Sequence, residues 1–209
     1  MIKENLEIED NLLLIFIKNP VPGKVKTRLA AAVGPQKAYQ IYLKLLSLTI
    51  DAASETGADR QVWYSSYIDS DDFISEPDFN KRKQIGEDLG ARMLHAFKSG
   101  FNEGYKNIII IGSDCPDVNP AVLEEAFSEL REHDLVIGPS ADGGYYLLGM
   151  KNLYKALFGE IDWSTDRVLE QTLEKANSLS LSVACLPELN DIDTIEDLKK
   201  AGWDEPTSN

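Results

Sequence analysis

Asn107–Asp117 reads NIIIIGSDCPD, four isoleucines in a row followed at once by glycine, serine and an acid. An unbroken apolar run of this kind has no face to offer water, so it fits a strand covered by helices on both sides. Asn11–Lys18 repeats the pattern, with LLLIFI at its centre. Helical periodicity fills the intervals. Pro35 follows Gly34, and Ala38, Ile41, Tyr42, Leu45, Leu48 and Ala52 then recur at three- and four-residue steps, with Gly57 where a C-cap is expected. Asp88 opens a helix with Leu89, Met93, Phe97 and Phe101 on one stripe. Asn119–Pro120 has the N-cap–N1 pattern, ahead of Leu123, Ala126, Phe127 and Leu130.

Further strands are expected at Arg60–Ser65, Asp134–Gly138, Tyr145–Gly149 and Leu181–Leu186, and further helices from about Thr165 and over Thr194–Ala201. Asp69–Lys83 is polar and weakly periodic, which suggests a surface excursion, and the tail from Asp204 is expected to fray. Strands alternating with helices predict an α/β fold, doubly wound, with a mostly parallel sheet and helices on both faces. The 209 residues suit one domain, with its core over about residues 12–203.

The formal charge of −14 excludes the broad cationic face that a nucleic-acid partner needs. The longest apolar runs are far too short to span a bilayer. Residues 1–10 (MIKENLEIED) are polar and acidic, without the basic and apolar segments of an export signal. A cytoplasmic location follows, with Cys115 and Cys185 reduced. Cys115 reads as a small packing residue, and His95 and His133 as helix-surface residues. No residue pattern fixes the oligomeric state.

Open parallel sheets bind ligands beyond the carboxyl ends of their strands, so the loops after strands are the candidate sites. The first is Asn19–Leu29 (NPVPGKVKTRL). Lys24, Lys26 and Arg28 crowd three cations beside an expected helix start, where the macrodipole disfavours them unless an anion is present. Pro22, Gly23 and Thr27 complete this candidate phosphate loop. Its spacing is not that of a Walker A loop. A solvated basic loop is the plain alternative.

Asp114, directly after the isoleucine strand, is of the oxygen-ligand type that Mg²⁺ or Mn²⁺ prefers, or a turn former, while Asp117 reads as a helix cap. Asp142-Gly143-Gly144-Tyr145-Tyr146 offers a proton acceptor and glycines that permit close backbone approach, although a tight strand-to-strand turn uses the same letters. Asp191 and Asp193 alternate at the end of the last strand, so one is expected to face the cleft and the other to point away. Thr194 and Asp197 are explained by a capping box. Arg92 follows Asp88 on a helix opening, where it reaches either phosphate or a carboxylate.

Taken together, Lys18–Leu29 (KNPVPGKVKTRL), Gln84–Met93 (QIGEDLGARM), Ile111–Pro116 (IGSDCP), Gly138–Gly149 (GPSADGGYYLLG), Trp163–Thr165 (WST) and Asp191–Leu198 (DIDTIEDL) resemble the bacterial DUF2064 family. That family is similar to the GT-A glycosyltransferases and to nucleotide-diphospho-sugar transferases. The resemblance implies nucleotide and phosphate binding by Lys24, Lys26 and Arg28, with Gly86, Asp88 and Arg92 beside them. It implies a Mg²⁺ or Mn²⁺ ion on Asp114 and Asp193; the residues themselves also offer Asp191 as an alternative ligand, and Gly143, Gly144, Tyr145, Tyr146 and Trp163 as an acceptor pocket. Asp142, Lys26 and Arg28 become the catalytic candidates. The chain departs from relatives in two places. Ser113-Asp114-Cys115-Pro116 replaces a D-x-D motif, and the first loop lacks the glycine-rich pattern of sugar nucleotidyltransferases.

Three functions compete. The first is metal-dependent glycosyl transfer from a nucleotide-sugar to a small-molecule acceptor. The second is nucleotidylyl transfer from a nucleoside triphosphate to a small phosphorylated substrate, with release of pyrophosphate. The third is a non-enzymatic nucleotide-binding module, which the presence of Asp114, Asp191 and Asp193 disfavours.

Overall fold

The two apolar runs become neighbours in one sheet. In the computed structural model, which describes residues 10–76 and 78–203, β1 (Asn11–Ile17) pairs in parallel with β2 (Asp59–Tyr64) and with β4 (Asn107–Ile111). β3 (Asn80–Lys83) extends the sheet beyond β2, and β6 (Tyr145–Met150), β5 (Leu135–Pro139) and β7 (Val183–Cys185) extend it beyond β4. The order of the seven strands is β3-β2-β1-β4-β6-β5-β7. β6 is antiparallel to both of its neighbours, and the remaining pairings are parallel. The reversal has a local cause. The short connection between Pro139 and Tyr145 can join only adjacent antiparallel strands. It places the start of β6 at the same sheet edge as the ends of the parallel strands.

Leu12 through Ile15 are each 0% exposed, so β1 is sealed on both faces. Leu13 and Ile15 pack with Tyr42 and Leu46 of α2 (Pro35–Ser54) and with Leu123 and Phe127 of α4 (Pro120–Glu132). Leu12 and Leu14 pack on the opposite face with Met93 and Phe97 of α3 (Leu89–Asn102) and with Ala176 of α5 (Val168–Ser178). A third cluster closes one end. Leu29 of α1 (Thr27–Val33), Ala38 and Leu45 of α2, Ile192, and Leu198 of α6 (Ile195–Lys200) are all buried together. It clamps the loop after β1 against the loop before α6.

Several boundaries differ from the sequence reading. Asp69–Lys83 contains β3, whose NKRK sequence has no apolar alternation because it is an edge strand paired only to β2. The excursion before it is tied down by Lys81 Nζ, 2.8 Å from Asp72 Oδ1 and buried. α5 starts at Val168, and the Thr165 hydroxyl belongs to the turn before it, donating to the Asp162 carbonyl at 2.7 Å and accepting from the Arg167 amide at 3.3 Å. α2 ends with Glu55 as its C-cap, and Gly57 lies beyond it, bonded to Glu124. His95 is no surface residue. It is half-buried, with its ring edge-on to Trp63 at 5.8 Å. The tail from Asp204 lies outside the described residues.

Candidate active site

The loops after β1, β4, β5 and β7 and the start of α3 surround a cleft of about 880 Å³. The loop after β1 is fixed from below. Asn19 is buried, accepts at Oδ1 from the Ser66 amide (2.9 Å), and donates from Nδ2 to the Tyr67 carbonyl (2.8 Å). Gln84 does the same one strand further out, donating to the carbonyls of Trp63 (2.8 Å) and Ile17 (3.2 Å). The Tyr42 hydroxyl donates to the Lys18 carbonyl at 2.6 Å. Apart from their places in recognisable segments, nothing in the sequence marked Asn19 or Gln84. Their value lies in joining strand ends that are distant in the chain.

Above this floor the loop turns at Gly23 (φ 77°) and reaches Lys26, which is itself left-handed (φ 48°). A non-glycine residue there carries a cost on the order of 1 kcal/mol. Lys26 is also the N-cap of α1, a position its side chain cannot serve. The conformation turns the ammonium inward. Lys26 Nζ lies 2.7 Å from Asp114 Oδ1 and 2.9 Å from Asp193 Oδ1, with its side chain only 3% exposed. Burial lowers its pKa, but the two carboxylates outweigh that and the net shift is upward. Lys24, Thr27 and Arg28 take the outer positions, exposed and lining the cleft. Pro22 and Gly23 stand outside the lining.

The acids converge as strand-end loops should. The Ile192 amide donates to the Asp114 carbonyl at 2.9 Å, which locks the last loop to the central one. Thr194 and Asp197 form the capping box and hold the backbone just after Asp193. Asp191 and Asp193 both line the cleft, whereas Ile192 between them turns into the core at 1% exposure. The expectation that one acid faces away is corrected here, because in extended backbone alternate residues share a side. The Ser140 hydroxyl donates to Asp191 Oδ2 at 3.3 Å. Burial, followed by the charges of Asp114 and Asp142, pushes Asp191 up to about 7.

Carboxylate oxygens are the donors that Mg²⁺ and Mn²⁺ take, and Asp191, raised first by burial, is raised further by the charges of Asp114 and Asp142. The chemistry of the donor set therefore fits a divalent cation. Among the described residues, however, no three acidic, histidine or cysteine side chains form a ready cage. The cation shared by Asp114 and Asp193 is the Lys26 ammonium.

Asp142 is exposed at the β5–β6 turn, and its Oδ1 accepts from the Gly144 amide at 2.9 Å. Gly143 (φ 87°) is pressed against the segment leading into α5, where a Cβ would come within 2.1 Å of the Asp166 carbonyl oxygen. Tyr146 belongs mostly to the core, where its hydroxyl donates to the Pro187 carbonyl at 3.1 Å. Tyr145 is packed against the other helical layer beside Trp163. Trp163 lies so close to α3 that a Cβ at Gly90 would meet its indole at 2.2 Å. Tyr145, Tyr146, Gly144 and Trp163 all reach the cleft lining, and Gly143 does not.

Asp88 serves as N-cap of α3, accepting from the Ala91 amide at 2.7 Å. Arg92 Nε donates to the Gly86 carbonyl at 3.1 Å. Asp88 and Arg92 line the cleft, and Gly86 supports them from outside it. Cys115 is buried, and burial pushes its thiol up to about 12, so it is a packing residue and no nucleophile.

Comparison with known proteins agrees with this fold. The profile of the DUF2064 family, described as uncharacterized proteins conserved in bacteria, matches residues 48–165. A proposed nucleotide-diphospho-sugar transferase from Desulfovibrio desulfuricans G20 is similar in structure with a TM-score of 0.88 and 34% identity, covering 96% of this chain and 90% of that one. The Rv0371c protein of Mycobacterium tuberculosis H37Rv, in complex with manganese, shares the fold at a TM-score of 0.56 and 13% identity, over 93% of this chain and 99% of that one. So does the 4-diphosphocytidyl-2C-methyl-D-erythritol synthase of Anaerococcus prevotii DSM 20548, with a TM-score of 0.60, 12% identity, and coverage of 94% and 96%. No protein of curated function matches the chain. No helix among the described residues is long and apolar enough to cross a membrane.

Proposed function

The chain belongs to the DUF2064 family, and from that premise we propose that it is a nucleotide-using transferase that moves a glycosyl group from a nucleotide-sugar to a small hydroxyl-bearing acceptor. One observation carries the reading. The carboxylates of Asp114 and Asp193 meet beneath a rim of exposed cations, in the cleft that also holds Asp142 and Trp163. Lys24 and Arg28 bind the diphosphate through charge-assisted hydrogen bonds. Asp114 and Asp193, joined by Asp191, would hold a Mg²⁺ or Mn²⁺ ion, which when bound neutralises charge on the departing diphosphate. Trp163 and Tyr145 pack against the acceptor.

Asp142 accepts the proton of the acceptor hydroxyl while the new glycosidic bond forms. The bond from the sugar to the diphosphate breaks, and its electron pair leaves with the nucleoside diphosphate. The Gly144 amide holds one oxygen of Asp142, leaving the other for the proton.

Nucleotidylyl transfer is the second reading. It is favoured by the cationic rim, which suits a leaving pyrophosphate, and by the fold shared with the diphosphocytidyl synthase. Incubation with Mn²⁺, a panel of nucleotide-sugars or nucleoside triphosphates, and candidate acceptors separates the two, with products read by phosphorus NMR. Nucleoside diphosphate released from a nucleotide-sugar supports glycosyl transfer. Pyrophosphate released from a triphosphate, with nucleotide-sugars inert, overturns it.

A further inference from the structure

Lys26 presents two anomalies with one explanation. A lysine occupies a left-handed, uncapped helix start, and its side chain, although part of the cleft lining, is buried between two carboxylates instead of extending to solvent like its loop neighbours. What it reaches there is one oxygen from each of two carboxylates, Asp114 Oδ1 and Asp193 Oδ1. Those are the oxygens a divalent cation would take, at roughly 2.0–2.6 Å. An ammonium about 3 Å from both oxygens competes with an ion bound to the same two oxygens, since the two cations would lie within a few ångströms of each other.

We propose that Lys26 is an exchangeable counter-ion: its ammonium holds Asp114 and Asp193 together in the metal-free protein and is expelled when a divalent cation binds. The inference rests on the reading that these carboxylates take such an ion, and is independent of which group is transferred. The exchange is one of position only. No proton moves, the divalent ion enters and the ammonium leaves. Lysine suits this role, because its charge is compact and rides on a flexible four-carbon stem. The stem emerges beside Lys24, Thr27 and Arg28, so the displaced ammonium swings toward the loop that faces the diphosphate. Metal entry would thus add a cation to the phosphate side in the same step. In the metal-free pocket the lysine offsets the repulsion between the two carboxylates, while the Ile192–Asp114 backbone bond and the buried cluster around Leu29 keep the loops together with or without it.

The test is Mn²⁺ binding, read by the paramagnetic resonance of free Mn²⁺ at fixed pH and salt. Lys26→Met keeps the stem and removes the competing charge. The proposal expects this variant to bind Mn²⁺ at least roughly tenfold more tightly than the native protein, and its thermal midpoint to rise more steeply with added Mn²⁺. Equal or weaker Mn²⁺ affinity in Lys26→Met, or no Mn²⁺ binding by either protein, overturns it. The native protein supplies a second measurement that needs no variant. The Nζ resonance of a buried, ion-paired lysine should shift or broaden away as Mg²⁺ saturates the site. A resonance unchanged at saturating Mg²⁺ contradicts the exchange. Product identification fails or succeeds separately, so loss of the glycosyl reading leaves both measurements informative.

Discussion

Arg28 and Lys26 stand two positions apart in the same loop, yet one is exposed at the cleft and the other is buried between acids. Their substitutions should therefore differ in kind. Arg28→Ala is expected to weaken nucleoside-diphosphate binding by roughly 1–3 kcal/mol while leaving the thermal midpoint unchanged. Lys26→Ala should lower the midpoint as well, because it strands two carboxylates that shared one cation. Calorimetric titration beside thermal unfolding distinguishes them, and equal midpoints in the two variants would speak against the buried ion pair. Asp191 gives a pH-dependent case. Its pKa in the folded protein lies above the ordinary carboxylate value, so the fold binds this proton more tightly than the unfolded chain does. That contribution is fully present at acid pH and is lost as the pH rises to about 7. Asp191→Asn removes the charge and keeps an oxygen for Ser140, so at pH 8 without metal it should raise the midpoint by roughly 2–6 °C. Near pH 4 it should change little. A lowered midpoint at pH 8 would refute this. Asp142→Asn retains the acceptor for the Gly144 amide and loses basicity, so turnover should fall by roughly 10²–10⁴ while nucleotide affinity holds. Native turnover in that variant would leave Asp142 a turn residue alone.

α1 and α6 are short, and neither would persist by itself in water. What holds them is the cluster of Leu29, Ala38, Leu45, Ile192 and Leu198, which also sets the distance between Lys26 and Asp193. Leu29→Ala should cost about 2–5 kcal/mol in denaturant unfolding. It should also weaken nucleotide binding, although Leu29 stands outside the cleft lining. Stability lost with full affinity would separate the cluster from the site. The same elements show what the residues announce in advance. β1 and β4 were readable because sealed strands have no polar positions, and α3, α4 and α6 because Asp88, Asn119 and Thr194 cap them. β3 was not readable, since an edge strand of sequence NKRK is held by backbone pairing and by one buried ion pair made by Lys81. The start of α5 differs because Thr165, a cap by type, bonds the Asp162 carbonyl and the Arg167 amide in the turn that precedes the helix.

Across the whole molecule, a net charge of −14 works against any anionic substrate, so nucleotide binding must come from a local reversal of sign. The fold confines it to the outer rim of the cleft, where the loop after β1 exposes Lys24 and Arg28 at the same sheet edge to which the loops after β4 and β7 bring Asp114, Asp191 and Asp193. This convergence followed from sequence, because carboxylates after parallel strands emerge together. That Lys26 would fill the space between Asp114 and Asp193 did not follow, since the crowding of cations in a loop says nothing of which one a left-handed turn directs inward. Asn19 and Gln84 were silent for a related reason, since their partners are backbone groups of other strands.

In the proposed function, one cleft binds a nucleotide-sugar through a divalent cation held by Asp114 and Asp193. The most direct test is calorimetric titration of nucleotide-sugars, with and without Mn²⁺, into the native protein and into the doubly substituted Asp114→Asn, Asp193→Asn variant. The native protein should bind at least one nucleotide-sugar in a Mn²⁺-dependent way, and the variant, while still unfolding cooperatively, should lose that binding. Binding that ignores Mn²⁺, or that survives the loss of both carboxylates, would contradict it.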